Sequence, residues 1–199
     1  MSNKFLNKLS FYCSEHENQF FDRKSARIKP LDTIKHLVAF SNAEGGQLVI
    51  GIENDGRITG FNYNGAHKID EYRNIFLTEL KETPLNVHFA ILEVINEKNQ
   101  NDKILIISVD VSSDRVIKSY DGKVYLRQND KSKELSFEQI LQLQYDRGQR
   151  FFEDEIVSGA DLNDLDEELI NNYKNIMDIT KLTNEEVLKA RNFLIDGKI

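Results

Sequence analysis

Residues 32–60 read DTIKHLVAFSNAEGGQLVIGIENDGRITG, and the fold is decided in this stretch. Leu31, Ile34, Leu37, Val38 and Phe40 recur at spacings of about three and four, the period of a helix with one apolar face. Positions 42–46 stop that helix, because Gly45 and Gly46 are free to take the positive φ that side chains disfavour. Leu48, Val49, Ile50 and Ile52 then form an apolar run of strand length, the pattern of a strand covered on both faces. Asn54, Asp55 and Gly56 signal a tight turn into a second short strand. A helix-to-strand connection thus delivers Glu53 and Asp55 to the end of a buried strand. Polar groups at such a place are costly unless they are paired or used.

Working outward, residues 3–12 form an amphipathic helix with Phe5, Leu6, Leu9 and Tyr12 on one stripe. Residues 19–24 suit a strand with Phe20 and Asp22 on one face and Phe21 and Arg23 on the other; Lys24 shares the face of Asp22. Pro30 fits the first turn of the following helix, where its missing N–H does no harm. Downstream, residues 66–82 carry helix-spaced Ile69, Tyr72, Ile75, Phe76 and Leu80, and Pro84 follows. Residues 87–95 alternate as a strand, and 103–111 form the second long apolar strand. Residues 116–119 and 123–127 flank Asp121 and Gly122, a hairpin signal. Ser136 and Gln139 make a capping box for a helix expected to bury Phe137, Ile140, Leu141 and Leu143. After a connecting segment at 149–160, residues 165–177 and 184–194 read as two helices, the second opened by a Thr183 and Glu186 capping box. The expected architecture is an α+β domain over residues 1–148, with a mixed or antiparallel sheet flanked by helices, and a short helical extension over 149–199.

The net charge of −7 is unevenly spread: residues 151–199 hold twelve acids against five bases, so the body is neutral. A neutral body is compatible with a basic patch on one face, and the acidic tail reads first as a solvated helical surface. The single cysteine, Cys13, has no partner for an internal disulfide and fits a reducing compartment. No apolar run reaches the length of a spanning helix and no signal-peptide core is evident, so a cytoplasmic protein without a membrane partner is expected. GGQLVIG is not followed by the lysine and hydroxyl of a P-loop, which excludes that ATPase chemistry. His16, His36, His67 and His88 are dispersed, without zinc-site spacing.

Four pieces in order resemble the Schlafen-type Alba-like (AlbA_2) domain, the N-terminal module of bacterial proteins regarded as transcriptional regulators or helicase-like. Residues 17–24 (ENQFFDRK) are similar to its entry motif of an acid, four residues, then acid-Phe-Lys, with Asp22 and Arg23 departing from the usual residues. Residues 39–46 (AFSNAEGG) are similar to Ala-Phe-Ala-Asn-Thr-x-Gly-Gly, and 48–56 (LVIGIENDG) with Gly60 to Gly-Val-x-Asp-x-Gly followed by glycine. Residues 124–132 (VYLRQNDKS) are similar to the closing Tyr-x-Arg-x-Gly-Ser. The resemblance covers about residues 10–148 and implies a DNA- or RNA-binding domain with a regulatory or transcription-related role.

Binding without chemistry would use Arg23, Lys24, Arg27, Lys29 and Lys35, close in sequence, joined in space by Arg127, Lys131 and Lys133. Gly45 and Gly46 serve either as a helix C-cap or as a backbone cradle for phosphate. Among the aromatics that could stack on bases, Tyr63 is the one expected at the surface. An alternative follows from relatives that are Mg²⁺- or Mn²⁺-dependent endoribonucleases, whose acidic triad lies at positions like Glu17, Asp22 and Glu53. Asp22 and Lys24, two apart on a strand, place a carboxylate beside an ammonium, either as an ordinary ion pair or as part of such a site. On that reading Glu17, Asp22 and Glu53 are the metal ligands, and Lys24 completes the catalytic set by steadying water or phosphate. A homodimerising scaffold is the third class.

Overall fold

The computed structural model describes residues 3–80, 85–151, 159–191 and 193–194, with side chains from residue 8 onward. In chain order, α1 (Asn3–Ser14) leads to β1 (Phe21–Lys24), α2 (Pro30–Asn42) and β2 (Gly46–Ile50). Next come α3 (Ile69–Thr78), β3 (Val87–Ile95), β4 (Asn101–Val109), β5 (Tyr125–Gln128), β6 (Lys131–Glu134) and α4 (Phe137–Asp146). Four strands make a mixed sheet of order β1-β2-β4-β3, and β5 and β6 make a separate hairpin. β1 and β2 are parallel, joined through α2, while β2–β4 and β4–β3 are antiparallel. This is the α+β architecture with a mixed sheet that the alternation of segments implies.

The apolar run of β2 is explained by its place in the sheet. Leu48 and Ile50 join Leu105, Ile107, Leu37 and Phe40 in a core on the α2 side. Val49 packs the other way, with Ile104, Ile106, Phe21 and Tyr12 of α1. Alternate residues of one strand therefore feed two cores. The turn between α2 and β2 requires its glycines. Gly45 takes φ +78 and donates its N–H to Phe40 O at 2.9 Å, closing the helix. A Cβ at Gly46 would fall 2.4 Å from the Phe40 ring. The helix-closing role thus falls to Gly45, while Gly46 opens β2 and is required by close packing; Pro30 does occupy the first turn of α2.

Three sequence expectations are corrected. The hairpin does not form across Asp121 and Gly122, although Ser119 N–H and Lys123 C=O close a turn there at 2.7 Å. The backbone of Ile117 is already taken by Asn42, which donates to Ile117 O at 2.7 Å and accepts from Ile117 N at 2.8 Å. The hairpin lies one segment later, between β5 and β6, around Asn129 at φ 56. In α4 the capping box of Ser136 and Gln139 forms, and Ile140 and Leu143 pack inward, but Phe137 is 73% exposed. The helix expected over 66–82 starts at Ile69; Phe5 and Leu6 side chains and Pro84 lie outside the described residues.

The chain divides into two compact units, Met1–Gln149 and Arg150–Ile199. In the second, α5 (Glu167–Ile176) and α6 (Asn184–Ala190) are both capped, by Asp166 and by the Thr183 and Glu186 capping box. Glu167, Glu168, Glu185 and Glu186 fill the first turns, where the helix dipole favours negative charge. These four of the unit's twelve acids therefore have a local structural cause. Among the described residues no helix is long and apolar enough to cross a membrane.

Candidate functional site

The alternation of β1 sends Asp22 and Lys24 toward α2, and Phe21 and Arg23 toward α1, as the strand pattern implies. Asp22 is 1% exposed, yet its carboxylate is fully engaged. Oδ1 accepts a short contact from Lys24 Nζ, and Oδ2 accepts from Arg127 Nη1 at 2.7 Å, with His36 Nδ1 at 3.3 Å. Lys24 Nζ also donates to Glu17 Oε1 at 3.0 Å. Arg127 also donates to Asn18 O at 3.0 Å, Phe21 O at 3.1 Å and Ser132 Oγ at 3.4 Å, with its guanidinium over the Phe40 ring. Two carboxylates thus meet one ammonium and one guanidinium, and the interior of the cluster is close to neutral. Burial by itself would raise the Asp22 pKa; hydrogen bonding from His36 and the charges of Lys24 and His36 outweigh it and hold the carboxyl well below its usual range. Glu17 is pushed up, by burial first and then by the neighbouring Asp22 carboxylate. Burial lowers His36, against the pull of Asp22.

Glu53 is placed elsewhere. It accepts from Thr59 Oγ1 at 2.8 Å and pairs with Arg27 Nη2 at 3.3 Å. Glu17 and Asp22 are brought together through Lys24, but Glu53 does not join them. Among the described residues no group of three His, Cys, Asp or Glu side chains is arranged to hold a metal ion. Both oxygens of Asp22 carry protein donors, and the Lys24 ammonium fills the space between the two acids. This donor set does not fit Mg²⁺ or Mn²⁺, which need free carboxylate oxygens around one point. Asp55 is a turn residue: its Oδ1 accepts from Arg57 N at 3.1 Å.

The expected basic residues separate into two groups. Arg23 is 5% exposed and donates to Tyr12 O at 3.1 Å, Cys13 O at 2.8 Å and Asn54 O at 2.8 Å. It closes the C-terminal end of α1, where carbonyls attract a cation. Arg127 is buried against Asp22. Neither guanidinium reaches the surface, which corrects their assignment to a phosphate-facing role. Arg27, Lys29, Lys35, Lys131 and Lys133 are exposed, and Lys24 keeps 22% of its side chain open. His36 Nδ1 lies 3.2 Å from Ser132 Oγ, so α2 and β6 touch, and Lys35, Lys131 and Lys133 are the immediate chain neighbours of that contact.

Sequence reasoning passed over His36, Thr59 and Lys98. The signal for His36 is a titratable residue in the turn of α2 between buried Thr33 and Phe40. Thr59 and Lys98 carry no comparable signal, because each acquires its partner only when separate loops meet.

A family model described as Schlafen, AlbA_2 matches residues 17–136. No curated protein matches the chain. Among solved structures, the DIP2311 protein of Corynebacterium diphtheriae is similar at 19% identity and a TM-score of 0.47, over 98% of this chain and 43% of that one. The chain thus spans less than half the length of that protein.

Proposed function

The chain belongs to the Schlafen AlbA_2 family, which suggests a nucleic-acid-related role, and from that premise we propose that its first unit binds DNA or RNA through phosphate contacts. One observation carries the reading. Lys29, Lys35, Lys131 and Lys133 are exposed, and among the described residues none of them forms an ion pair. They lie on α2, its entry and β6, the elements that meet over the near-neutral Asp22 cluster. The acids of that cluster are therefore already neutralised from within, and the lysines around it carry positive charge that no ion pair engages among the described residues. Such charge holds phosphates without reading bases.

Metal-dependent RNA cleavage is the weaker reading of the same residues. It would need Glu53 to leave Arg27 and Thr59, and Asp22 to give up a cation or a donor. A dimerising scaffold needs neither nucleic acid nor these lysines to be free.

The test is fluorescence anisotropy of labelled single-stranded and duplex RNA and DNA over a salt series. Affinity is expected to fall steeply with salt, with a log–log slope of about −0.7 to −0.9 per phosphate contact. Absence of binding at low salt, or binding insensitive to salt, overturns the proposal. Cleavage of the probe on adding Mn²⁺, abolished by Asp22→Ala in a folded protein, would favour the nuclease reading instead.

A further inference from the structure

We propose that Tyr63, with Arg27 and Lys98, is a seat for one unpaired nucleotide, the base stacking on the ring and its phosphate meeting the two cations. The inference rests on the nucleic-acid reading above and gives it a strand preference. The topology places the three residues at one end of the sheet. β1 and β2 are parallel and finish there, β3 finishes there, and β4 begins there. Arg27 follows β1, Tyr63 lies after β2, and Lys98 sits in the turn between β3 and β4. The Arg27 guanidinium lies 4.9 Å from the centre of the Tyr63 ring, and Lys98 Nζ lies 5.2 Å from it.

The framework of this seat is held from several sides. Asp102, 5% exposed, accepts from Phe61 N at 2.8 Å and Asn62 N at 3.2 Å, which ties the Tyr63 loop to β4. Glu97 N donates to Ile58 O at 2.9 Å, and Arg57 Nη1 reaches Glu97 Oε2 at 2.9 Å, which ties the β3–β4 turn to the loop after β2. Arg27 is pinned by Ser25 Oγ at 3.2 Å and by Glu53. Lys98 differs. Its side chain is exposed, and among the described residues it has no carboxylate partner; only the ring attracts it.

Two cations on one ring repel each other, and a single carboxylate, Glu53, offsets one of them. An incoming phosphate removes that imbalance. Lys98 is the member free to move: it exchanges the ring for the phosphate, and a base takes the face it leaves. An aromatic beside mobile and fixed cations is how sequence-tolerant single-strand binding is built. A duplex keeps its bases stacked inside and cannot fill the seat.

The experiment compares the whole chain with Tyr63→Leu, Tyr63→Phe and Lys98→Met, using an unpaired oligonucleotide and a duplex of the same sequence. Thermal melts confirm folding. Tyr63→Leu is expected to weaken the unpaired probe about tenfold or more, the range of one stacked base. Tyr63→Phe retains affinity, and the duplex changes less than twofold. Lys98→Met lowers the salt slope by about one phosphate contact. If wild type binds in a salt-dependent way but Tyr63→Leu binds the unpaired probe as before, or loses both probes equally, the seat is wrong and the general reading stands. If wild type binds neither probe, both fall.

Discussion

Arg127 is the residue whose assignment changed most between sequence and structure, and its replacement tests that change. Arg127→Met keeps the length and apolar character of the side chain over the Phe40 ring, but removes the guanidinium. Four acceptors each lose a donor: Asp22 Oδ2, Asn18 O, Phe21 O and Ser132 Oγ. Breaking one side of a buried ion pair costs about 3–5 kcal/mol. Asp22 keeps Lys24 and His36, which places the expected loss near the lower end, about 3 kcal/mol. For a chain of this size that corresponds to a fall in Tm of roughly 6–12 °C. Lys133→Met, an exposed change of the same kind, is expected to stay within about 0.5 kcal/mol. The assay is urea unfolding followed by circular dichroism, with Asp22→Asn and the double variant completing a cycle. A coupling energy above about 1 kcal/mol is expected for side chains in contact. If Arg127→Met unfolds like wild type while weakening nucleic-acid binding, Arg127 is a ligand-facing residue and the placement argued above is refuted.

Three further predictions concern the frame. Asn42→Ala removes both partners of Ile117 and one of Tyr125 O, and should cost about 2–4 kcal/mol in the same unfolding assay, since each orphaned buried group carries a penalty of about 1–3 kcal/mol; an unchanged midpoint would show that the segment around Ile117 is not held by Asn42. Gly46→Ala places a Cβ 2.4 Å from the Phe40 ring and 2.9 Å from Phe20 O, so a loss of about 1–3 kcal/mol is expected, and a neutral result would contradict the packing of α2 on β2. The folded-state pKa of Asp22 is depressed from 3.8, so its stabilising contribution is present above that value and is lost as pH falls through the folded value. The stability gap between wild type and Asp22→Asn should therefore shrink as pH falls below about 4, and a gap that grows over that range would reverse the sign of this linkage.

The fold was legible wherever one strand or helix could be read alone. The apolar run at 48–52, the glycines at 45 and 46 and the capping boxes at Ser136 and Thr183 each encode a local geometry, and each appears in the structure. The hairpin was misplaced because the competing partner of Ile117 is Asn42, 75 residues away, and no local pattern announces that bond. The candidate site was legible in part for the same reason. Alternation along β1 put Asp22 beside Lys24, but an arginine in sequence has no sign of whether it will face solvent or a buried acid. Arg23 and Arg127 took the second role because α1 and Asp22 supplied acceptors that the sequence pattern does not bring together. Glu53 likewise met Arg27 and Thr59 through loop packing alone.

The central claim is that Lys29, Lys35, Lys131 and Lys133 hold phosphate while Arg23 and Arg127 hold the fold. Its most direct test is the salt slope of oligonucleotide binding for wild type and for the variant with all four lysines changed to alanine. Equal thermal stability is expected, with a slope shallower by about three, from four contacts at about 0.7–0.9 each. An unchanged slope in a fully folded variant would contradict it.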